Sequence, residues 1–249
     1  MTNGGRFSNL IRLLYNNSMA NPVAPTAASF DAQSLAATPG KLVVISGPSG
    51  VGKTTILRSV LAQLPQLVPS VSATTRSPRE GEKDGVDYHF LTLGEFERRR
   101  AAGEFLECCQ VYGRKHWYGT LVEEVAPRLA DGAWVVLEID VEGTLSILRR
   151  YDGALTIFVE PSHPDQLSLR LKGRGTESPD AVARRLEVAH RELLEAHRYQ
   201  HRVVNENVHE AVQTIIRILT DAHLPPHTID STSPTNSLKI SPAPSGVHT

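Results

Sequence analysis

KLVVISGPSGVGKTTILR, from Lys41 to Arg58, is the most informative stretch of the 249-residue sequence. The apolar run at 42–45 is typical of a strand that is buried on both faces, and the apolar residues of 55–64 recur at helical spacing. Between them, GPSGVGKT at 47–54 matches the pattern G-x-x-x-x-G-K-[ST]. Such a loop aims backbone N–H groups at phosphate oxygens beside the positive end of a helix. The stretch therefore predicts a strand, a loop and a helix that together bind a nucleoside triphosphate.

The residues of this loop have separate predicted tasks. Lys53 is expected to reach the β- and γ-phosphates, and Thr54 is expected to offer its hydroxyl oxygen to Mg²⁺. The alternative is a glycine-rich turn that matches by accident, but such a match rarely has a buried strand before it and an amphipathic helix after it. The residues predicted to bind the triphosphate are Gly47, Pro48, Ser49, Gly50, Val51, Gly52, Lys53, Thr54 and Thr55.

The composition is that of an ordinary globular protein. The chain has 26 basic and 27 acidic residues and a net charge of −1, so no overall charge attracts it to nucleic acid or to a membrane. We expect small-molecule partners, and no apolar run is long enough to span a bilayer. The two cysteines, Cys108 and Cys109, are adjacent and offer no disulfide framework, which suits a reducing compartment. A cytoplasmic location is therefore expected.

Three segments divide the chain. Residues 1–40, rich in Ala, Asn, Ser and Pro, are expected to form a disordered leader. Two alternatives stay open for the leader: a transit peptide, or a true start at Met19. Residues 41–223 are expected to form the folded domain, and the Pro-, Ser- and Thr-rich residues 224–249 are expected to be a disordered tail.

Short apolar strands alternate with helical patterns along the folded domain. This alternation predicts an α/β protein with a mostly parallel sheet flanked by helices. The predicted strands are 42–46, 69–72, 105–109, 134–139, 155–159 and 202–204. The predicted helices are 54–64, 93–102, 121–130, 142–150, 164–172, 180–199 and 208–221, and Ser178 and Pro179 are expected to begin the helix at 180–199.

Three further motifs carry candidate chemistry. In SATTRSPREGE at 72–82, two arginines three residues apart could clamp a second phosphate group. In VVLEID at 135–140, alternation puts both carboxylates on one face at the carboxyl end of a strand, where ligands of open α/β sheets bind. In RLKGRGT at 170–176, glycines give hinge-like freedom, so the arginines could close onto a transferring phosphoryl group.

Taken together and in this order, the four motifs resemble those of the guanylate kinases over about residues 41–219. The resemblance implies a P-loop nucleoside monophosphate kinase fold with GMP-binding and lid segments. It implies an enzyme that transfers the γ-phosphate of ATP to GMP, and to dGMP, with Mg²⁺ present. It leaves the oligomeric state open.

The resemblance also implies roles for individual residues. Those implied on the GMP phosphate are Arg76, Arg79, Tyr88 and Tyr118, with Glu82 beside them, and those implied on guanine are Ser72, Glu107 and Thr120. Glu107 could accept hydrogen bonds from the N1–H and the N2 amine of guanine. Glu138 is expected on the acceptor side and Asp140 in water-mediated support of the metal. The lid arginines are Arg170, Arg174 and Arg185, and Asn205 is expected near adenine.

The sequence departs from the family pattern at two places. GRKHWYG at 113–119 stands where relatives usually have Gly-Asn-Tyr-Tyr-Gly, so this loop is two residues longer. Glu142 stands where glutamine is usual, which adds a negative charge near the expected cleft. The loop should differ locally from the family, although Tyr118 and Thr120 still match.

Two other functions stay open at this point. One is a guanylate-kinase-like module that binds phosphorylated peptide through Arg76 and Arg79 and has lost catalysis. Against it, Lys53, Thr54 and the lid arginines are all present. The other is a P-loop kinase for a different phosphorylated acceptor. Glu107 distinguishes this second alternative, because its loss should weaken only the use of GMP.

Overall fold

The computed structural model describes residues 38–111, 116–151, 153–163, 165–172 and 179–225. Residues 1–37 of the predicted leader and nearly all of the predicted tail lie outside these residues, as do Arg174, Ser178 and the first three residues of the longer loop at 113–119. Among the described helices, none has the length and apolar character that crossing a membrane requires.

Nine strands and seven α-helices are formed within the described residues. The strands are β1 (Lys41–Ser46), β2 (Leu67–Pro69), β3 (Ser72–Thr74), β4 (His89–Phe90), β5 (Phe105–Val111), β6 (His116–Leu121), β7 (Trp134–Glu138), β8 (Leu155–Glu160) and β9 (His201–Val204). The helices are α1 (Lys53–Gln63), α2 (Leu93–Ala101), α3 (Val122–Ala130), α4 (Val141–Arg150), α5 (Asp165–Lys172), α6 (Pro179–Leu194) and α7 (Val208–Asp221).

A five-stranded parallel sheet forms the centre of the fold. Its strand order is β2-β7-β1-β8-β9, and every pairing in it is parallel. Strand β1 lies in the middle, with Val43 aligned to Val136 on one side and to Leu155 on the other. Its residues from Leu42 to Ile45 are fully buried, as the apolar run predicts. Because the strands are parallel, the carboxyl ends of β1, β7 and β8 meet at one edge, where the phosphate loop begins.

A second, four-stranded sheet has the order β4-β3-β6-β5. Strand β6 is antiparallel to both β3 and β5, whereas β3 and β4 are parallel. The register aligns Ser72 with Thr120, and Thr120 with Glu107. The three residues expected to read a base therefore lie side by side on neighbouring strands.

The α/β fold class and its mostly parallel sheet are confirmed, but three details of the predicted elements are wrong. The predicted strand 69–72 is two strands, β2 and β3, which belong to different sheets. Strands β4 and β6 were not predicted, because β6 mixes aromatic, polar and glycine residues in place of an apolar run. The predicted helix 180–199 ends at Leu194 and continues as a 3₁₀ turn, Glu195–Arg198.

A small aromatic cluster fixes α2 on the second sheet. The ring of Phe96 on α2 is fully buried and stacks on Phe105, with ring centroids 4.4 Å apart, and it lies 5.7 Å from the ring of Trp117. This cluster links the helix to both strands of the β5–β6 hairpin, so it is the apolar support of the hairpin that carries Glu107 and Thr120.

We expect Phe96→Ala to lower the free energy of unfolding by about 3–5 kcal/mol, because it removes a large buried ring and leaves a cavity. Urea denaturation followed by circular dichroism measures this change. The matched control is Leu93→Ala on the same helix, whose side chain is 53% exposed and which should change stability by about 0.5 kcal/mol or less. Equal effects of the two substitutions would contradict the packing described.

Candidate active site

Glycine conformation shapes the phosphate loop between β1 and α1. Gly47, Gly50 and Gly52 have φ values of 143°, 84° and 102°, a region that other residues rarely adopt. A side chain on Gly47 would overlap the carbonyl oxygen of Val159 on the neighbouring strand β8. The loop is therefore pressed against the sheet, and only glycine allows so close an approach.

Asn205 supports this loop from behind. Its side chain is 1% exposed, and its amide nitrogen donates a hydrogen bond to the carbonyl oxygen of Val51 at 2.7 Å. The same nitrogen lies 2.8 Å from the position that a Cβ would take on Gly52. In this structure Asn205 thus holds the phosphate loop, and its expected contact with adenine stays a prediction.

Lys53 begins α1 and folds back over the loop. Its ammonium group donates hydrogen bonds to the carbonyl oxygens of Gly47, at 2.5 Å, and Pro48, at 3.2 Å. Desolvation lowers the pKa of Lys53, while the negative charges of Glu192, Glu138 and Asp140 act in the opposite direction. The half-buried ammonium group of Lys53 thus lies where the pattern predicts the phosphates.

Two carboxylates lie at the end of β7, as the sequence predicts: Glu138 is its last residue and Asp140 lies two residues later. Glu138 accepts a hydrogen bond from the Thr54 hydroxyl at 2.6 Å. Asp140 caps α4: one of its oxygens accepts from the backbone N–H of Gly143 at 2.7 Å, and the other accepts from the Cys109 thiol at 3.2 Å. In this structure the carboxylate beside the expected metal-binding hydroxyl is therefore Glu138, whereas Asp140 contacts the helix cap and β5.

The donor set beside Thr54 fits Mg²⁺, which prefers oxygen ligands. Thr54 and Glu138 offer a hydroxyl and a carboxylate in contact with each other. Among the residues that the structure describes, no three His, Cys, Asp or Glu side chains form a metal-binding group. Mg²⁺ is commonly bound by one or two protein oxygens together with substrate phosphates and water.

A buried carboxylate lies in the second sheet. Glu107 is 4% exposed, and the hydroxyl of Thr120 donates a hydrogen bond to its Oε1 at 2.8 Å. Burial, with a smaller contribution from the negative charge of Asp140, raises the pKa of Glu107 to about 8. Ser72 lies on the other side of Thr120 across the ladder. This cluster offers hydrogen-bond acceptors to a ligand that brings N–H donors.

Arg76 is held in a bidentate ion pair. Its two terminal nitrogens donate to the two oxygens of Glu82, each at 2.9 Å, and Glu82 also accepts from the backbone N–H of Arg79 at 2.7 Å. The Arg76 guanidinium lies 5.3 Å from the ring centroid of Tyr88, which meets the ring of Tyr118 edge-on at 6.0 Å. The structure therefore gathers Arg76, Tyr88 and Tyr118 into one cluster, which the exposed Arg79 joins through its backbone N–H.

Helix α6 contacts the phosphate loop at Ser49. The guanidinium of Arg185 donates to the Ser49 hydroxyl at 2.5 Å, and the Glu192 carboxylate accepts from the Ser49 backbone N–H at 3.4 Å. Burial raises the pKa of Glu192 to about 7, although Lys53 opposes this shift. Arg170 lies on α5, and Arg174 falls outside the described residues.

Sequence reasoning missed three residues of this site. Glu192 lies seven residues after Arg185, which puts both on one face of α6, and this spacing was the available signal. The sequence suggests for Cys109 only the absence of a disulfide framework, and gives no sign of its contact with Asp140. Gly143 had no signal in the sequence. Glu142, the departure from the usual glutamine, has an exposed side chain.

The chain is similar to known proteins over most of its length. A family model described as guanylate kinase matches residues 39–222. The chain belongs to the guanylate kinase family. The guanylate kinase of Rhodopirellula baltica is 48% identical over 187 residues, which cover 74% of this chain and 90% of that protein. The guanylate kinase of Gloeobacter violaceus is 48% identical over 179 residues, 72% of this chain and 86% of that protein.

Solved structures of the family agree with the fold. The crystal structure of guanylate kinase from Anaplasma phagocytophilum matches with a TM-score of 0.61 at 29% sequence identity. The match covers 76% of this chain and 88% of that one. The P-loop kinase fold expected from the motifs is therefore confirmed.

The raised pKa of Glu107 predicts how stability depends on pH. Between its ordinary value of 4.5 and about 8, the folded protein keeps a proton that the unfolded chain releases. The contribution of Glu107 to the free energy of unfolding therefore falls as pH rises through this window. Glu107→Gln removes this titration. The free energy of unfolding of the variant, relative to that of the wild type, should therefore rise by on the order of a few kcal/mol between pH 5 and pH 8.

Urea denaturation of both proteins at pH 5 and pH 8 measures the difference. The control is Glu97→Gln, which removes an exposed carboxylate from α2 and should leave the pH dependence of the wild type intact. A stability difference between Glu107→Gln and the wild type that does not change with pH would show that Glu107 is ionised in the folded protein at pH 5.

Proposed function

We propose that this protein transfers the γ-phosphate of ATP to GMP in one in-line step, giving ADP and GDP. One observation carries the proposal: the end of β7 and the start of α4 border both halves of the site. Glu138 contacts Thr54 at the phosphate loop, whereas Gly143 and Asp140 border Glu107. A donor phosphate on the loop and an acceptor nucleotide at Glu107 would therefore be neighbours.

The phosphate loop would bind ATP through its backbone N–H groups and Lys53. Phosphate oxygens can replace the carbonyl oxygens of Gly47 and Pro48 as acceptors for the Lys53 ammonium group. Mg²⁺ bound by the Thr54 hydroxyl beside Glu138 would neutralise charge on the phosphates. Positioning and charge stabilisation are sufficient for this reaction class, so no covalent enzyme intermediate is proposed.

The acceptor site would select guanine by hydrogen bonding. The N1–H and N2 amine of guanine can both donate to Glu107, while Thr120 and Ser72 line the same edge. Adenine has no N1–H to stabilise the ionised form of Glu107, which burial already disfavours, and sites of this type discriminate by about 10⁴–10⁵-fold. Arg76, Arg79, Tyr88 and Tyr118 would hold the phosphate. Because dGMP presents the same base and phosphate, we include it as a substrate.

Closure of the lid would complete the site. Arg185 already reaches the phosphate loop, and Arg170 and Arg174 would join it around the transferring group. Closure also excludes water, which would otherwise hydrolyse ATP. We further propose that the enzyme acts in the cytoplasm in purine nucleotide metabolism, with nucleotides and not nucleic acid as its partners.

A coupled assay of ADP release tests this function on the full chain with Mg²⁺ and ATP. GMP, AMP, CMP and UMP are offered in turn, and we expect turnover with GMP to exceed the others by about 10⁴-fold. Turnover with another nucleotide in preference to GMP would identify a kinase with a different acceptor. Absence of turnover from a folded protein that binds no ATP would indicate a binding module.

Lys53→Ala should reduce kcat by about 10²–10³-fold, because it removes the cation beside the transferring phosphoryl group. The same coupled assay with GMP measures the loss. The matched control is Arg58→Ala, which removes a positive charge from the exposed side of the same helix and should leave kcat within about twofold of wild type. Near-normal turnover by Lys53→Ala would contradict the assignment of the phosphate loop.

A further inference from the structure

Gly143 is a helical glycine whose backbone does not require glycine. It is the third residue of α4, it is buried, and it is not among the glycines with positive φ. Glycine in a helix is less stable than alanine, so its presence calls for another physical reason. The three atoms nearest to a Cβ placed at this position belong to two carboxylates of the site.

Those contacts leave no room for a methyl group. A Cβ on Gly143 would lie 2.7 Å from Glu107 Oε2, 3.3 Å from Glu107 Cδ and 3.1 Å from Asp140 Oδ1. Glu107 has little freedom to withdraw, because it is 4% exposed and Thr120 holds its other oxygen at 2.8 Å. Asp140 is held by the N–H of Gly143 and by the thiol of Cys109. A methyl group would therefore push the Glu107 carboxylate from its place.

We propose that Gly143 is a positioning residue that determines base specificity: the missing side chain seats the Glu107 carboxylate where it can accept both N–H donors of guanine. The inference rests on the proposed function. It adds that the first turn of α4, which follows the strand carrying Glu138, determines which base is accepted. Gly143 acts through Glu107 and makes no direct contact with the substrate.

The size of the effect follows from the geometry. Ordinary contact begins at 3.4 Å, so the nearest Glu107 oxygen would move by about 0.7 Å. Displacements on the order of 1 Å can reduce turnover about 10²-fold in a site that depends on orientation. A paired hydrogen bond to N1–H and the N2 amine is especially sensitive, because both bonds must align at once.

The experiment compares GMP with inosine 5′-monophosphate, which lacks the N2 amine and so makes one fewer bond to Glu107. For Gly143→Ala we expect kcat/KM for GMP to fall by about 10–100-fold, a smaller fall for inosine monophosphate, and no change in the KM for ATP. The ratio of kcat/KM for GMP to kcat/KM for inosine monophosphate should therefore fall. A general loss of stability would not change that ratio.

Gly94→Ala is the matched control. Gly94 also lies in the first turn of a helix, and a Cβ there would meet nothing within 4 Å. This variant should keep the ratio of GMP to inosine monophosphate at its wild-type value. Thermal unfolding of both alanine variants shows whether each one is folded before its kinetics are compared.

A double-mutant cycle tests whether Gly143 acts through Glu107. In a Glu107→Ala background the methyl group meets no carboxylate of Glu107, so Gly143→Ala should fold and should cause no further fall in kcat/KM for GMP. An equal fall in both backgrounds, an unchanged ratio in the single variant, or a double variant that fails to fold would overturn the inference. Failure of the wild type to phosphorylate GMP would instead overturn the proposed function.

Discussion

Desolvation of the Lys53 ammonium group is the constraint on which the rest of the site depends. A cation that has lost water must be compensated by nearby oxygens and negative charges. The carbonyl oxygens of Gly47 and Pro48 accept hydrogen bonds from this group. The negative charges of Glu192, Glu138 and Asp140 stabilise its positive charge. These groups come from the phosphate loop, from α6 and from the end of β7. The parallel order β7-β1-β8 brings the phosphate loop and the end of β7 to one edge, and α6 reaches the loop through its contacts with Ser49.

The acceptor half poses the opposite electrostatic problem. There a carboxylate, Glu107, has been removed from water, and one hydroxyl hydrogen bond does not offset the burial that raises its pKa to about 8. Each half therefore holds a group whose charged form is disfavoured by burial, and each proposed substrate carries a group that would stabilise that charged form. Phosphate oxygens suit Lys53, and the N–H donors of guanine suit Glu107. In the proposed function, binding energy and selectivity come from the same contacts, because a ligand that lacks these groups leaves the buried side chains without partners.

Local patterns were enough to predict the central strand, the phosphate loop and the first helix, since a buried apolar run and a contiguous motif involve only neighbouring residues. The prediction was wrong at 69–72, where the chain forms two short strands that belong to different sheets. It missed β6, because the pairing of β6 depends on partners in β3 and β5. Glu192 and Gly143 were missed for the same reason. Glu192 meets Ser49 across 143 residues of sequence, and the crowding at Gly143 exists only once β5 lies beside α4.

The division into two sheets has a consequence for how such an enzyme can diversify. The residues proposed to bind the triphosphate lie around the five-stranded sheet. Ser72, Thr120 and Glu107 lie on three strands of the other sheet, which has a separate hydrogen-bond ladder. Substitutions that change which base is recognised can therefore arise on the four-stranded sheet, while the proposed triphosphate site around the five-stranded sheet is inherited unchanged. The first turn of α4 contacts both parts of the site. A relative that changes its acceptor base would therefore also have to change residues of that turn.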